Sequence, residues 1–100
     1  MTRQQLIDIA AHIQSAHNTR HPYDDMHIVA EVKTGTNCGW IDITPWQMAG
    51  HICESIFWPE EILAFASVYN LNAHFSAHYD YEQRKAYACI CMFPNEKYED

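Results

Sequence analysis

The chain has 100 residues, a formal net charge of -7, 48% apolar residues and 13% aromatic residues. That composition excludes a disordered chain, which combines net charge with low hydrophobicity, and it fits one domain with a modest core. No run approaches the roughly 18 apolar residues needed to span a bilayer.

The elements read in chain order as follows. Thr2-Arg3-Gln4-Gln5 has the form of a helix capping box. Leu6, Ile9, Ala10, Ile13 and Ala16 then recur at helical spacing, with Asp8, His12 and Ser15 on the wet face. Asn18 and the His21-Pro22 step end that helix, because the residue before a proline is pushed out of the α region. Residues 26–33 alternate, with Ile28, Ala30 and Val32 against His27, Val29 and Glu31, which is strand periodicity. Residues 34–37 supply a turn, and Cys38 to Thr44 reads as the second arm of a hairpin. Thr44-Pro45-Trp46-Gln47 predicts a second helix running to about Ile56, with Thr44 as cap and Pro45 in the first turn. A third helix begins at Pro59, where Glu60 and Glu61 suit the positive end of the helix dipole, and Asn70 can close it. Residues 71–79 alternate again, 80–85 form a polar turn, and Ala86 to Phe93 form the last strand, stopped by Pro94. The expected fold is a single α+β domain over residues 1–100, in the order α-β-β-α-α-β-β. It has a four-stranded, mainly antiparallel sheet with helices packed on one face. Residues 95–100 are expected to be a loose tail.

Charge is distributed unevenly. Residues 34–83 contain no lysine or arginine but carry Asp42, Glu54, Glu60, Glu61, Asp80 and Glu82. Such a stretch repels nucleic acid and membrane surfaces and attracts basic partners. No Gly-rich phosphate loop, serine nucleophile elbow or basic aromatic surface is present. The four cysteines, Cys38, Cys53, Cys89 and Cys91, follow no secretion signal, and a cytoplasmic chain with reduced thiols is expected.

The richest cluster of chemistry-bearing side chains is the C-terminal hairpin, with His74, His78, Cys89 and Cys91. His-x-x-x-His holds a metal on a helix, where i and i+4 share a face. On a strand the same spacing separates the two Cα atoms by about 13 Å, too far for one ion. Register decides the rest. If Tyr79 pairs with Ala86, His74 lies opposite Cys91 and Ser76 opposite Cys89, and a His74–Cys89–Cys91 site can assemble on the open face. If Tyr79 pairs with Tyr87, both cysteines enter the core as small apolar residues. A cysteine nucleophile needs a neighbouring histidine or helix N-terminus. His51 and Cys53, two apart on a helix, diverge. No bound metal or other cofactor and no catalytic residue is therefore expected. His12, His17, His21 and His27 lie along the first helix and its exit, where a pH response is conceivable.

These readings favour a binding protein over an enzyme. The partner-binding candidates are Glu54, Glu60, Glu61, Asp80 and Glu82, with Trp58 as an aromatic anchor beside acids. The expected partner is a basic protein surface, not nucleic acid itself and not a membrane. A compact acidic domain can fill a nucleic-acid groove by copying phosphate charge. Phage and mobile-element inhibitors of nucleases, restriction systems and CRISPR complexes share this size and acidity. Two other readings remain open: a metal- or thiol-dependent site on the C-terminal hairpin, and a self-associating structural subunit, for example a homodimer.

Overall fold

The structure is a computed structural model that describes residues 1–23, 27–45, 59–82 and 85–99. Four strands, β1 (Ile28–Gly35), β2 (Cys38–Pro45), β3 (Leu71–Asp80) and β4 (Lys85–Pro94), form one antiparallel sheet in the order β1-β2-β4-β3. Helices α1 (Arg3–Arg20) and α2 (Pro59–Val68) pack on it. The two hairpins anticipated from the alternation are both present. They meet where β2 pairs with β4 through Ile41–Met92, Asp42–Cys91 and Ile43–Ile90. The fold is the expected α+β domain.

Alternation sorts the side chains. Ile28, Ile41, Ile43, Ile90 and Met92 are fully buried and form the sheet's half of the core. Leu6, Ala10 and Ile13 of α1, Ile62 and Ala66 of α2, and Leu71 complete it. The α1 start is the capping box read from sequence. The Gln5 N–H donates to Thr2 Oγ1 at 3.1 Å, and the Thr2 N–H donates to Gln5 Oε1 at 2.7 Å. Glu60 and Glu61 occupy the first turn of α2. Asn70, with φ 56°, provides the left-handed residue that turns the chain from α2 into β3.

Two expectations are corrected, and one falls largely outside the described residues. Thr44 and Pro45 do not open a helix: Thr44 pairs with Val29, and Pro45 is the buried last residue of β2, opposite Ile28. The proline is tolerated because Ile28 turns its carbonyl, the acceptor a Pro45 N–H would use, away from β2 towards Asn18 of α1. The β2–β4 pairing also stops at Ile43, so the N–H that Pro45 lacks is needed on neither side. Residues 46–56 of the predicted middle helix lie outside the described residues. The tail is not loose. The Met1 ammonium donates to the Lys97 carbonyl at 2.6 Å, the Glu99 N–H donates to the Met1 carbonyl at 2.9 Å, and Thr2 and Glu99 form a parallel bridge. Tyr98 packs on the core, so close to Gly39 that a Cβ there would meet its ring at 2.5 Å.

The outer edge of β1 is closed by α1. The Ile28 N–H donates to Asn18 Oδ1 at 2.8 Å, and Asn18 Nδ2 donates to the Ile28 carbonyl at 3.0 Å. The Ala30 N–H donates to Gln14 Oε1 at 2.9 Å. Side-chain amides thus occupy backbone groups that an edge strand would otherwise offer to another chain. Replacing Asn18 with Ala leaves a half-buried N–H and carbonyl without that partner. The expected loss is about 2 kcal/mol in urea unfolding. A loss under about 0.5 kcal/mol would show that water satisfies both groups equally well.

Candidate functional site

The buried stripe of α1 runs Leu6, Ala10, Ile13, His17, at spacings of four, three and four. Its last member is an imidazole with 0% exposure. A polar group taken out of water needs a polar neighbour. Here that neighbour is Glu61, in the first turn of α2. Glu61 Oε1 lies 3.7 Å from His17 Nδ1 and 3.3 Å from Arg20 Nη1, and Oε2 lies 3.0 Å from His21 Nε2. A carboxylate only accepts, so His21 carries its proton on Nε2 in this contact. The two imidazole centroids are 4.4 Å apart. His21 is also the C-cap of α1, and His27 Nε2 donates to its carbonyl at 2.8 Å. His12, expected on the wet face, is exposed but turns its ring edge-on to Phe65 and Tyr69. A shallow groove of about 440 Å³, lined by Arg20, Glu60, Glu61, Ala64, Phe65 and Val68, opens beside the carboxylate.

A second cluster lies on the sheet face away from the helices. The hairpin register is Tyr79–Ala86, which sets His74 opposite Cys91 and Ser76 opposite Cys89. Ile90 and Met92 therefore fill the core, and the cysteines share the other face with Trp40 and Asp42 of β2. Cys91 Sγ donates to Asp42 Oδ1 at 3.2 Å, and the same oxygen accepts from Trp40 Nε1 at 2.9 Å. The two sulfurs are 3.7 Å apart. The expected trio of His74, Cys89 and Cys91 is not what converges. Asp42, Cys89 and Cys91 bring their ligating atoms within 4.8 Å of one another, whereas exposed His74 lies edge-on to Phe93. Burial pushes the Cys91 thiol up to about 12, reinforced by its bond to the Asp42 carboxylate and by Cys89. Burial also raises Cys89. These thiols are poor nucleophiles, since the thiolate is the reactive form.

The acidic candidates are scattered through the fold. Glu60 is exposed on α2, and Glu82 is exposed in the turn after β3. Glu61 points inward to the α1 histidines. Asp80 ends β3 opposite Lys85. Glu54 and Trp58 lie outside the described residues. The sequence reading missed His17, His21 and Arg20 as partners of Glu61, and Asp42 as the acceptor at the thiols. The helical pair did carry a signal: His17-x-x-x-His21 is the spacing rejected for His74 and His78, here on a helix, where it places both rings on one side. Comparisons with protein-family models, curated proteins and solved structures found no match.

Two measurements check the thiol chemistry. Cys38 is exposed, so a neutral-pH alkylating reagent should modify it well before Cys89 or Cys91 in peptide mapping. The raised thiols also set a pH dependence. Below pH ~9 they are protonated whether the chain is folded or not, and they contribute no slope. Above it the unfolded chain ionises first while Cys91 resists up to about 12, so stability falls across that window. The urea midpoint should decline between pH 9 and 11, and Cys91→Ser should reduce the decline. An unchanged slope in the variant would refute the assignment.

Proposed function

We propose that this chain is a small acidic binding domain that docks on a basic surface of another protein through its α2–β3 side. The observation that carries this reading is the exposure of large apolar side chains where the chain has no basic residue. Val68 is 74% exposed, Phe75 61% and Tyr81 84%. All three, with exposed Glu60 and Glu82, fall within residues 34–83, which lack lysine and arginine. An interface commonly combines an apolar or aromatic centre with a polar rim. Exposed Glu60 and Glu82 on that rim suit a partner rich in lysine and arginine, with Arg20 the basic side chain beside Glu60 and Val68. A protein that binds DNA or RNA is a fitting class, because carboxylates and phosphates pair with the same guanidinium and ammonium groups. On this reading the domain blocks such a partner by occupying its groove.

Catalysis is left out of the proposal because Cys89 and Cys91 are held protonated beside Asp42. Self-association through the same apolar residues is the competing use, and sedimentation of the purified chain separates the two.

The test is kinetic. Against an affinity-captured partner, Glu60→Lys combined with Glu82→Lys should slow association about tenfold at low salt and flatten its salt dependence. Phe75→Ala should mainly speed dissociation. The partner should lose DNA or RNA binding as the domain is added. Association insensitive to salt and to both charge reversals would return the acid excess to ordinary solubility.

A further inference from the structure

We propose that His17, His21 and Glu61 form a binding site for a single divalent transition-metal ion, with zinc best suited to the ligand set. The proposal is independent of the docking surface described above. It rests on four features.

The first is spacing. His17 is in the last turn of α1 and His21, four residues on, is its extended C-cap; their ring centroids lie 4.4 Å apart, so both imidazoles sit on the same side of the end of α1. The second is convergence across two elements. Glu61 comes from α2, and the three residues bring one ligating atom each within 4.8 Å of one another. With metal–nitrogen bonds of about 2.0–2.1 Å, tetrahedral ligands sit roughly 3.3 Å apart. His21 Nε2 lies 3.0 Å from Glu61 Oε2 and His17 Nδ1 lies 3.7 Å from Oε1, so each imidazole faces its own oxygen of the carboxylate at close to that spacing.

The third feature is electrostatic. The end of α1 is the negative end of its dipole, which favours a cation, and Glu61 adds a carboxylate. Arg20 Nη1, 3.3 Å from Glu61 Oε1, is the competing cation, but its side chain is 68% exposed and can swing into water. The fourth is support. His17 is fully enclosed, and His27 holds the His21 backbone through its carbonyl. Two imidazoles and a carboxylate leave a fourth position for water, the arrangement of an open zinc site. The groove beside Glu61 gives an ion a route from solvent.

The sheet-face cluster is the rival site. Its S···S separation of 3.7 Å would also fit zinc. Binding there must first remove protons from two thiols in surroundings that retain them, whereas the helix site needs only neutral imidazoles and an ionised carboxylate.

The experiment uses the full chain, stripped with a chelator and titrated with zinc and then with cobalt. One ion per chain is expected by elemental analysis. The cobalt form should give visible absorption of a low-coordinate site without the near-ultraviolet band of thiolate ligation. His21→Ala and Glu61→Gln should each weaken cobalt binding by more than the ~10–100-fold that losing an outer partner of a ligand costs. Cys91→Ser should leave it unchanged. The wild-type cobalt spectrum and zinc-induced shifts of histidine ring resonances need no variant, so a misfolded mutant does not obscure the answer. Absence of stoichiometric binding would overturn the proposal. A thiolate band that vanishes in Cys91→Ser would also overturn it, moving the site to the sheet face.

Discussion

Burial of an imidazole at the end of an otherwise apolar stripe is the constraint on which much else depends. Leu6, Ala10 and Ile13 bury without regard to direction, because apolar contact rewards area rather than orientation. His17 does not. Its nearest carboxylate is Glu61 of α2, with 3.7 Å between Nδ1 and Oε1, longer than a hydrogen bond. The approach places the first turn of α2 beside the last turn of α1. Ile62 and Ala66, the apolar contribution of the same helix, follow Glu61 by one and five residues and are set into the core by the same placement. His12 against Phe65 and Tyr69 adds a second contact one turn back along α1. Arg20 sets a guanidinium 3.3 Å from the carboxylate, and His21 hydrogen-bonds its other oxygen at 3.0 Å. The same geometry that keys the two helices together brings three metal-ligating side chains to one point.

The sheet applies the same logic on its other face. Asp42 sits on β2 between two strands and takes donors from Trp40 beside it and Cys91 across from it through a single oxygen. Trp40 also stacks on Phe93, ring centroids 5.7 Å apart. Together these contacts tie β2 to β4 where the two hairpins join, on the side not covered by α1 or α2. The thiols gain a structural neighbour from this arrangement and lose reactivity. A carboxylate facing a thiol stabilises the protonated form, just as a histidine or helix N-terminus would stabilise the thiolate.

Local pattern carried the fold into the sequence, and the reasons for success and failure are specific. Capping at Thr2 and Gln5, alternation in each strand and the Asn70 exit are decided within a few residues, so they could be read directly. Pro45 was misread because Thr-Pro before a run of helix formers looks locally like a first turn. Whether a proline ends a strand instead depends on where the partner strand aims its carbonyl, which is a property of Ile28 and Asn18. The tail was misread because its anchors, Met1 and Gly39, are distant in sequence. At the site, the correct metal rule was applied to His74 and His78. The same rule reaches His17 and His21 only when the core stripe is carried past Ala16 to His17, a step apolar periodicity does not prompt. Extending the periodicity by one residue places a histidine in the core and prompts a search for its acid.

The acids show why a charge count is not a field. Of the carboxylates in the stretch without lysine or arginine, Asp42 serves as an acceptor on the sheet and Glu61 faces the histidines of α1. Among the described residues, Glu60 and Glu82 are the exposed carboxylates of that stretch. A binding surface on the α2–β3 side must then rely on Val68, Phe75 and Tyr81 for its lifetime, with charge setting only how often encounters occur. A pure phosphate mimic would be dominated by charge at both steps. The proposed docking surface is accordingly a mixed one, in which the acids would exclude unsuitable partners and apolar contact would hold the suitable one.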